Sequence, residues 1–222
     1  MTPSQPPPIV LASGSPRRRE LLARLGLDFE VCVADVDERP SPGEAATELA
    51  RRLSLAKARA VVPQRPQALI IAADTLVVVD GDILGKPADA REAYAMLTRL
   101  RNRVHEVLTG LTLIDAPHRR ECVDVVVTQV TMRDYTDDEI RRYIATGDPM
   151  DKAGAYAIQA EDLNPVARIE GSYTNVVGLP LCDLYYRLRA WHVPVPVDAR
   201  VACRWDGGSP AAPEPESGQR EE

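Results

Sequence analysis

The sequence predicts an α/β domain built on a mixed β-sheet, and three observations carry that reading. Residues 69–79, Leu-Ile-Ile-Ala-Ala-Asp-Thr-Leu-Val-Val-Val, are apolar on both faces, as a central strand requires. Capped helical stretches at Ser15-Pro16, at Asp89 with Glu92 and at Thr136 with Glu139 lie between strand-like runs. Strands and helices do not alternate regularly, which excludes a simple doubly wound sheet.

Composition bounds the rest. A chain of 222 residues, 45% hydrophobic and 27% charged, buries one substantial core in one or two lobes. Net charge is −6, and five acidic residues with one arginine from Asp206 to Glu222 account for −4 of it. The remainder is close to neutral, which argues against a binder of nucleic-acid polymers, since that needs a basic face. Cys32, Cys122, Cys182 and Cys203 are far apart and form no C-x-x-C pair, so neither a disulfide framework nor a zinc site is indicated. No apolar run is long enough to span a bilayer and residues 1–8 lack a signal-like apolar core, so a reduced, cytoplasmic protein is expected.

In chain order, residues 9–12 read as a buried strand that runs into Ser13-Gly14-Ser15 and then a helix from Pro16 to about residue 25, stopping at Gly26. Arg17, Arg18 and Arg19 crowd its first turn. Cations at a helix N-terminus oppose the helix dipole unless an anion lies between them, so the stretch is either a phosphate cradle or an ordinary capped helix with its arginines in water. A strand is expected over 29–33, followed by Asp35, Asp37 and Glu38, which make either a hard-cation site or a solvated acidic loop. A helix beginning at Ser41-Pro42-Gly43-Glu44 has capping-box spacing, with Leu49, Leu53, Ala56 and Ala60 as its apolar stripe. Lys57 near its end suits the helix C-terminus or a site equally.

Asp74 interrupts the central strand. A carboxylate among aliphatic neighbours is costly unless paired or bound to a cation, so Asp74 is a candidate functional residue. Asp80-Gly81-Asp82 turns the chain, and 83–87 returns as a hairpin partner. A three-residue loop pairs Val79 with Ile83 and Leu76 with Lys86, placing Lys86 on the face of Asp74, whereas a two-residue loop puts it on the other face. We expect the three-residue loop. A helix opening at Asp89 buries Ala93, Met96, Leu97 and Leu100; strands follow over 104–114 and 122–133, the latter alternating through Val123, Val125 and Val127; a helix capped by Thr136 and Glu139 buries Ile140, Tyr143 and Ile144. Residues 151–159, Asp-Lys-Ala-Gly-Ala-Tyr-Ala-Ile-Gln, make either a cleft wall whose Gln159 reads a base edge or an interior loop with an ion pair. Gly171 to Pro180 lines the cleft or makes turns, and a last helix buries Leu181, Leu184, Leu188 and Trp191. Three segments are expected: a flexible leader over 1–8, the domain over 9–192, and a disordered Pro/Gly/acid-rich tail over 193–222.

Together, S-G-S-P-R-R-R-E-L-L, A-A-D-T, L-G-K-P, D-K-A-G-A-Y-A-I-Q and N-V-V-G-L-P, in that order over about residues 9–191, resemble the Maf family of nucleoside triphosphate pyrophosphatases. The resemblance implies an elongated mixed sheet flanked by helices in two lobes with the active site in the central cleft, similar to inosine triphosphate pyrophosphatases. It implies hydrolysis between the α- and β-phosphates of a nucleoside triphosphate, a divalent metal cofactor (Mg²⁺ or Mn²⁺) and a homodimer. It gives Asp74 the role of proton acceptor, places Ser13, Arg18, Lys57 and Lys86 at phosphate positions, and makes Glu38 a metal-holding carboxylate with Asp74. Arg17, Thr75 and Gln159 match the branch acting on dTTP and UTP; Ala157, Ala160 and the stretch 161–166 depart from the usual glycine-rich pattern. The rival reading is a non-catalytic, nucleotide-responsive regulator of cell division, which has no need of Asp74 in a central strand beside Lys86.

Overall fold

The computed structural model describes residues 7–34, 36–160 and 162–204. The first apolar run forms β1 (Ile9–Leu11), and Ser15, with Pro16 at the first helical position, caps α1 (Pro16–Ala23) by accepting from the Arg18 amide. β2 (Phe29–Val31) returns parallel to β1, and α2 (Ala46–Val61) then crosses to β3 (Leu69–Val79), parallel to β1 on its other side. Ile9 and Leu11 face α1, whereas Val10 and Ala12 face α2. The strand order therefore reverses at the carboxyl end of β1, the switch point where α/β sheets open a crevice.

Beyond β3 the sheet is antiparallel. β4 (Asp82–Leu84) folds back on β3; α3 (Ala90–Leu100) follows, then the long β5 (Val104–Asp115) and β6 (Arg120–Met132), α4 (Asp137–Ala145) and the edge strand β7 (Val166–Glu170). The order β2-β1-β3-β5-β6-β7, with β4 also on β3, is the mixed, helix-flanked sheet expected. On one edge β3 pairs with β1 through Leu69 to Ile71 and with β4 through Val77 to Val79, and neither register reaches 72–76. That gap in the sheet holds Asp74. One half of the domain packs α1 with α6 (Leu181–Ala190) against Leu11, Leu69 and Ile71; the other packs α3 and α4 against Val77, Val79 and Val107.

The caps at Ser15, Asp89 and Thr136 form as expected, the last a full capping box. Other expectations need correction. α2 starts at Ala46, because Gly43 takes φ +74°, outside the right-handed helix; Glu44 still accepts from the Ser41 amide but closes a turn. Its buried face runs through Leu49, Ala50, Leu53, Ser54, Ala58 and Val61, with Ala56 and Ala60 half-buried, because Ser54 is buried by hydrogen bonds that an apolar count misses. The hairpin has the two-residue loop: Val79 pairs with Asp82, and Asp80 and Gly81 both take positive φ, the geometry that matches strand twist. β4 ends at Leu84, so Lys86 reaches the cavity from the segment after the strand instead of from the ladder. Val127 is exposed and Val123 and Val125 half-buried; the buried residues of β6 are Thr128, Val130 and Met132.

β7, α5 (Tyr173–Val177) and α7 (Ala199–Cys203) were not expected as regular elements. Residues 193–204 are part of the fold: Val193, Val195 and Ala202 join the core of α1 and α6, and Cys203 forms a disulfide with Cys182. Alternating apolar residues among prolines gave no periodic signal, and a bridge between cysteines 21 residues apart has no spacing signature. Residues 1–6 of the expected leader (1–8), Asp35, Glu161 and residues 205–222 of the expected tail (193–222) lie outside the described residues. No helix among the described residues is long and apolar enough to cross a membrane.

Candidate active site

Asp74 and Thr75 are consecutive residues on β3 and so point to opposite faces of the sheet. The gap at this edge opens both faces onto one cavity of about 710 Å³, lined also by the Ser13 to Arg18 turn, Glu38, Lys57, Lys86 and the segment from Asp151 to Gln159. All nine sequence-predicted site residues, Ser13, Arg17, Arg18, Glu38, Lys57, Asp74, Thr75, Lys86 and Gln159, reach it.

On the Asp74 face the charges are paired. Lys57 Nζ lies 2.5 Å from Asp74 Oδ1 and 2.6 Å from Glu38 Oε1, with the Lys57 and Asp74 side chains only 13% and 9% exposed. Lys57 therefore belongs to the site and does not merely complement a helix dipole. Burial disfavours the charged form of Glu38, but the hydrogen bond from Lys57 and the nearby charges of Lys86 and Arg18 outweigh it, and its carboxyl sits below the usual range. Lys57 reaches Asp74 because α2 lies close on the sheet at Gly110, the residue opposite Asp74 on β5. A Cβ there would come within 2.1 Å of the Ala50 carbonyl oxygen. Asp37 does not join this group; it pairs with Arg39 in an exposed loop.

On the Thr75 face the cation has neutral partners. Arg18 donates from Nε to the Gly178 carbonyl at 2.8 Å, from Nη2 to Thr75 Oγ1 at 3.0 Å and from Nη1 to Ser13 Oγ at 3.3 Å. Burial lowers its pKa, with the field of Asp74 opposing. Three of five guanidinium N–H groups are used, leaving two donors and an uncancelled charge. Lys86 and Arg17 line the same cavity and make no ion pair among the described residues. Lys152, by contrast, is 8% exposed and held by the carboxylates of Asp148 and Asp151. The wall is stiffened elsewhere: the Gly154 amide donates to the Gly85 carbonyl, and Tyr156 hydrogen-bonds His105 Nε2 at 2.7 Å, with burial pushing that imidazole down to about 4 and keeping it neutral.

Positive groups without counter-charge facing a lysine-bridged carboxylate pair suit a polyphosphate. The sequence profile described as Maf-like protein matches residues 8–191. The chain belongs to the Maf family. It is 50% identical over 181 residues to the dTTP/UTP pyrophosphatase of Geobacter sulfurreducens, covering 82% of this chain and 95% of that one. To the dTTP/UTP pyrophosphatase of Myxococcus xanthus it is 50% identical over 188 residues, or 85% and 94% of the two chains. To that of Dictyoglomus turgidum it is 47% identical over 177 residues, or 79% and 92%. Within this Maf fold, sequence reading missed Gly110 and the Gly178 carbonyl. The signal for the first was a glycine in a buried strand opposite an aspartate; for the last, a backbone carbonyl, the sequence carries none.

Proposed function

We propose that the protein hydrolyses dTTP and UTP between the α- and β-phosphates, giving the nucleoside monophosphate and pyrophosphate. The observation that carries this reading is one cavity that gathers Arg17, Arg18 and Lys86, none of them in an ion pair among the described residues, with Asp74 and Glu38 bridged by Lys57. The names of relatives about half identical over most of the chain supply the substrate class.

Phosphoanhydride hydrolysis needs charge neutralisation and an aligned water more than covalent catalysis. Ser13, Arg18 and Lys86 hold the triphosphate oxygens. Lys57 pins one oxygen of Asp74, and the other makes no hydrogen bond among the described residues. That free oxygen takes the proton of a water attacking the α-phosphorus; the water's oxygen bonds to phosphorus as the bond to the β-bridging oxygen breaks, and pyrophosphate leaves with the electron pair. Glu38 and Asp74, both oxygen donors, are the residues that would hold a hard divalent cation, Mg²⁺ or Mn²⁺; no cluster of three or more acidic, histidine or cysteine ligands exists among the described residues. Bound there, the cation would neutralise charge developing on the phosphates. Arg17 and Gln159, which also line the cavity, discriminate the base.

The test is product release from dTTP, UTP, CTP, 7-methyl-GTP and ITP in H₂¹⁸O, with and without Mg²⁺ or Mn²⁺. Expected is pyrophosphate from dTTP and UTP above the others, dependent on the metal, with the label in the monophosphate. Orthophosphate as the first product, or no release from any nucleotide, overturns the reading.

A further inference from the structure

Thr75 is a candidate specificity residue, yet its hydroxyl is spent inside the protein. It accepts from Arg18 Nη2 at 3.0 Å and lies 2.9 Å from Thr109 Oγ1, its register partner on β5. Thr109 is fully buried, is absent from the cavity wall, and donates to the Asn175 carbonyl at 3.2 Å. Each hydroxyl has one proton, so the direction of this chain follows. The alternative acceptor for Thr75, the Gly178 carbonyl, is 3.5 Å away and already takes Arg18 Nε at 2.8 Å. Thr75 therefore donates to Thr109 and Thr109 to Asn175, which leaves the lone pairs of Thr75 for Arg18.

The far end of the chain is held by several hydrogen bonds. Asn175 is fully buried; its Nδ2 donates to the Val107 carbonyl at 3.0 Å and to Thr128 Oγ1 at 2.9 Å, and its amide donates to Ser172 Oγ. Its carbonyl also accepts from the Gly178 amide, so removing the Thr109 hydroxyl strands no acceptor there. We propose that Thr109, one strand away from the cavity, is a positioning residue that orients the Arg18 guanidinium through Thr75, and that Thr75 influences turnover by the same route instead of by touching the base. Without Thr109 as acceptor, the Thr75 proton turns to the Gly178 carbonyl and competes with Arg18 Nε. The fork then loses its geometry at two of three contacts.

The proposal rests on the phosphate-binding role given to Arg18 above, and the experiment separates the two. In the free protein, exchange of the Arg18 guanidinium protons is measured by NMR for wild type, Thr109→Val and Thr109→Ser. Exchange rises about tenfold in Thr109→Val and stays at the wild-type rate in Thr109→Ser, which keeps the hydroxyl. With dTTP, kcat/KM of Thr109→Val falls about tenfold, mostly through KM, and the double variant with Thr75→Val falls no further than the worse single variant. Thr109→Cys, whose thiol is a weak donor and acceptor, replaces Thr109→Val if that protein does not fold. Unchanged Arg18 exchange, or additive losses in the double variant, overturns the proposal. A wild type that releases no pyrophosphate while Arg18 exchange responds to Thr109→Val overturns the functional reading alone.

Discussion

The two faces of β3 at the sheet gap solve different problems. On the Asp74 face a buried lysine is bracketed by two carboxylates and its charge is cancelled locally. On the Thr75 face a buried arginine is bracketed by a carbonyl and two hydroxyls, and its charge is kept. A paired cation aims carboxylates, whereas one held by neutral acceptors is a receptor for an anion yet to arrive. On the proposed function, one strand thus separates the group that takes a proton from the group that holds phosphate.

The comparison breaks most severely at Lys57. Lys57→Met leaves Asp74 buried beside Glu38 without its ion-pair partner, and loss of one partner of a buried pair costs about 3–5 kcal/mol, read as a lower urea midpoint. The pH dependence follows from Glu38. Its carboxyl is held below its ordinary value in the native state, so it contributes stability that is full above about pH 4.3, the unfolded value, and is lost as pH falls through the lowered native value. The gap in urea midpoint between wild type and Lys57→Met is therefore full at pH 7 and narrows below about pH 4. A gap that widens in acid contradicts the pairing.

The disulfide supplies the control. Cys182 and Cys203 close a loop of 21 residues that ties α7 to α6, and neither cysteine lines the cavity. Cys203→Ser lowers stability by about 3 kcal/mol on the chain-entropy account, while kcat and KM for dTTP stay within about twofold. A loss of turnover would mean that the packing of α6 and α7 reaches the cavity.

A smaller effect sharpens the Asp74 face alone. Gly110→Ala forces α2 off the sheet, with a cost of about 1–3 kcal/mol for overpacking. Because α2 carries Lys57, turnover falls while affinity for inorganic triphosphate, set on the Arg18 face, is kept. Equal loss of both would show that the faces are not separable.

Much of this site was legible because chemistry leaves marks in sequence. Asp74 stood out as a charge in an apolar strand, and the Ser15 cap with its arginines marked a candidate anion cradle. What was not legible depends on contacts between distant segments. The Lys57 role needed the rotation of α2, which Ser54 and Gly110 decide and apolar spacing misses. The hairpin register turned on whether Asp80 would accept a positive φ beside Gly81. The core role of Val193 and Val195 was hidden among prolines, and no spacing marks Thr109, whose hydroxyl faces that of Thr75.

The division between the faces is tested most directly by measuring dTTP affinity and single-turnover rate together for Asp74→Asn and Arg18→Met. The account predicts that Asp74→Asn loses about 10²–10⁴ in rate, the span of a positioned general base, and keeps its affinity, whereas Arg18→Met loses affinity first. An Asp74→Asn protein that folds, binds dTTP and turns it over at the wild-type rate would contradict it.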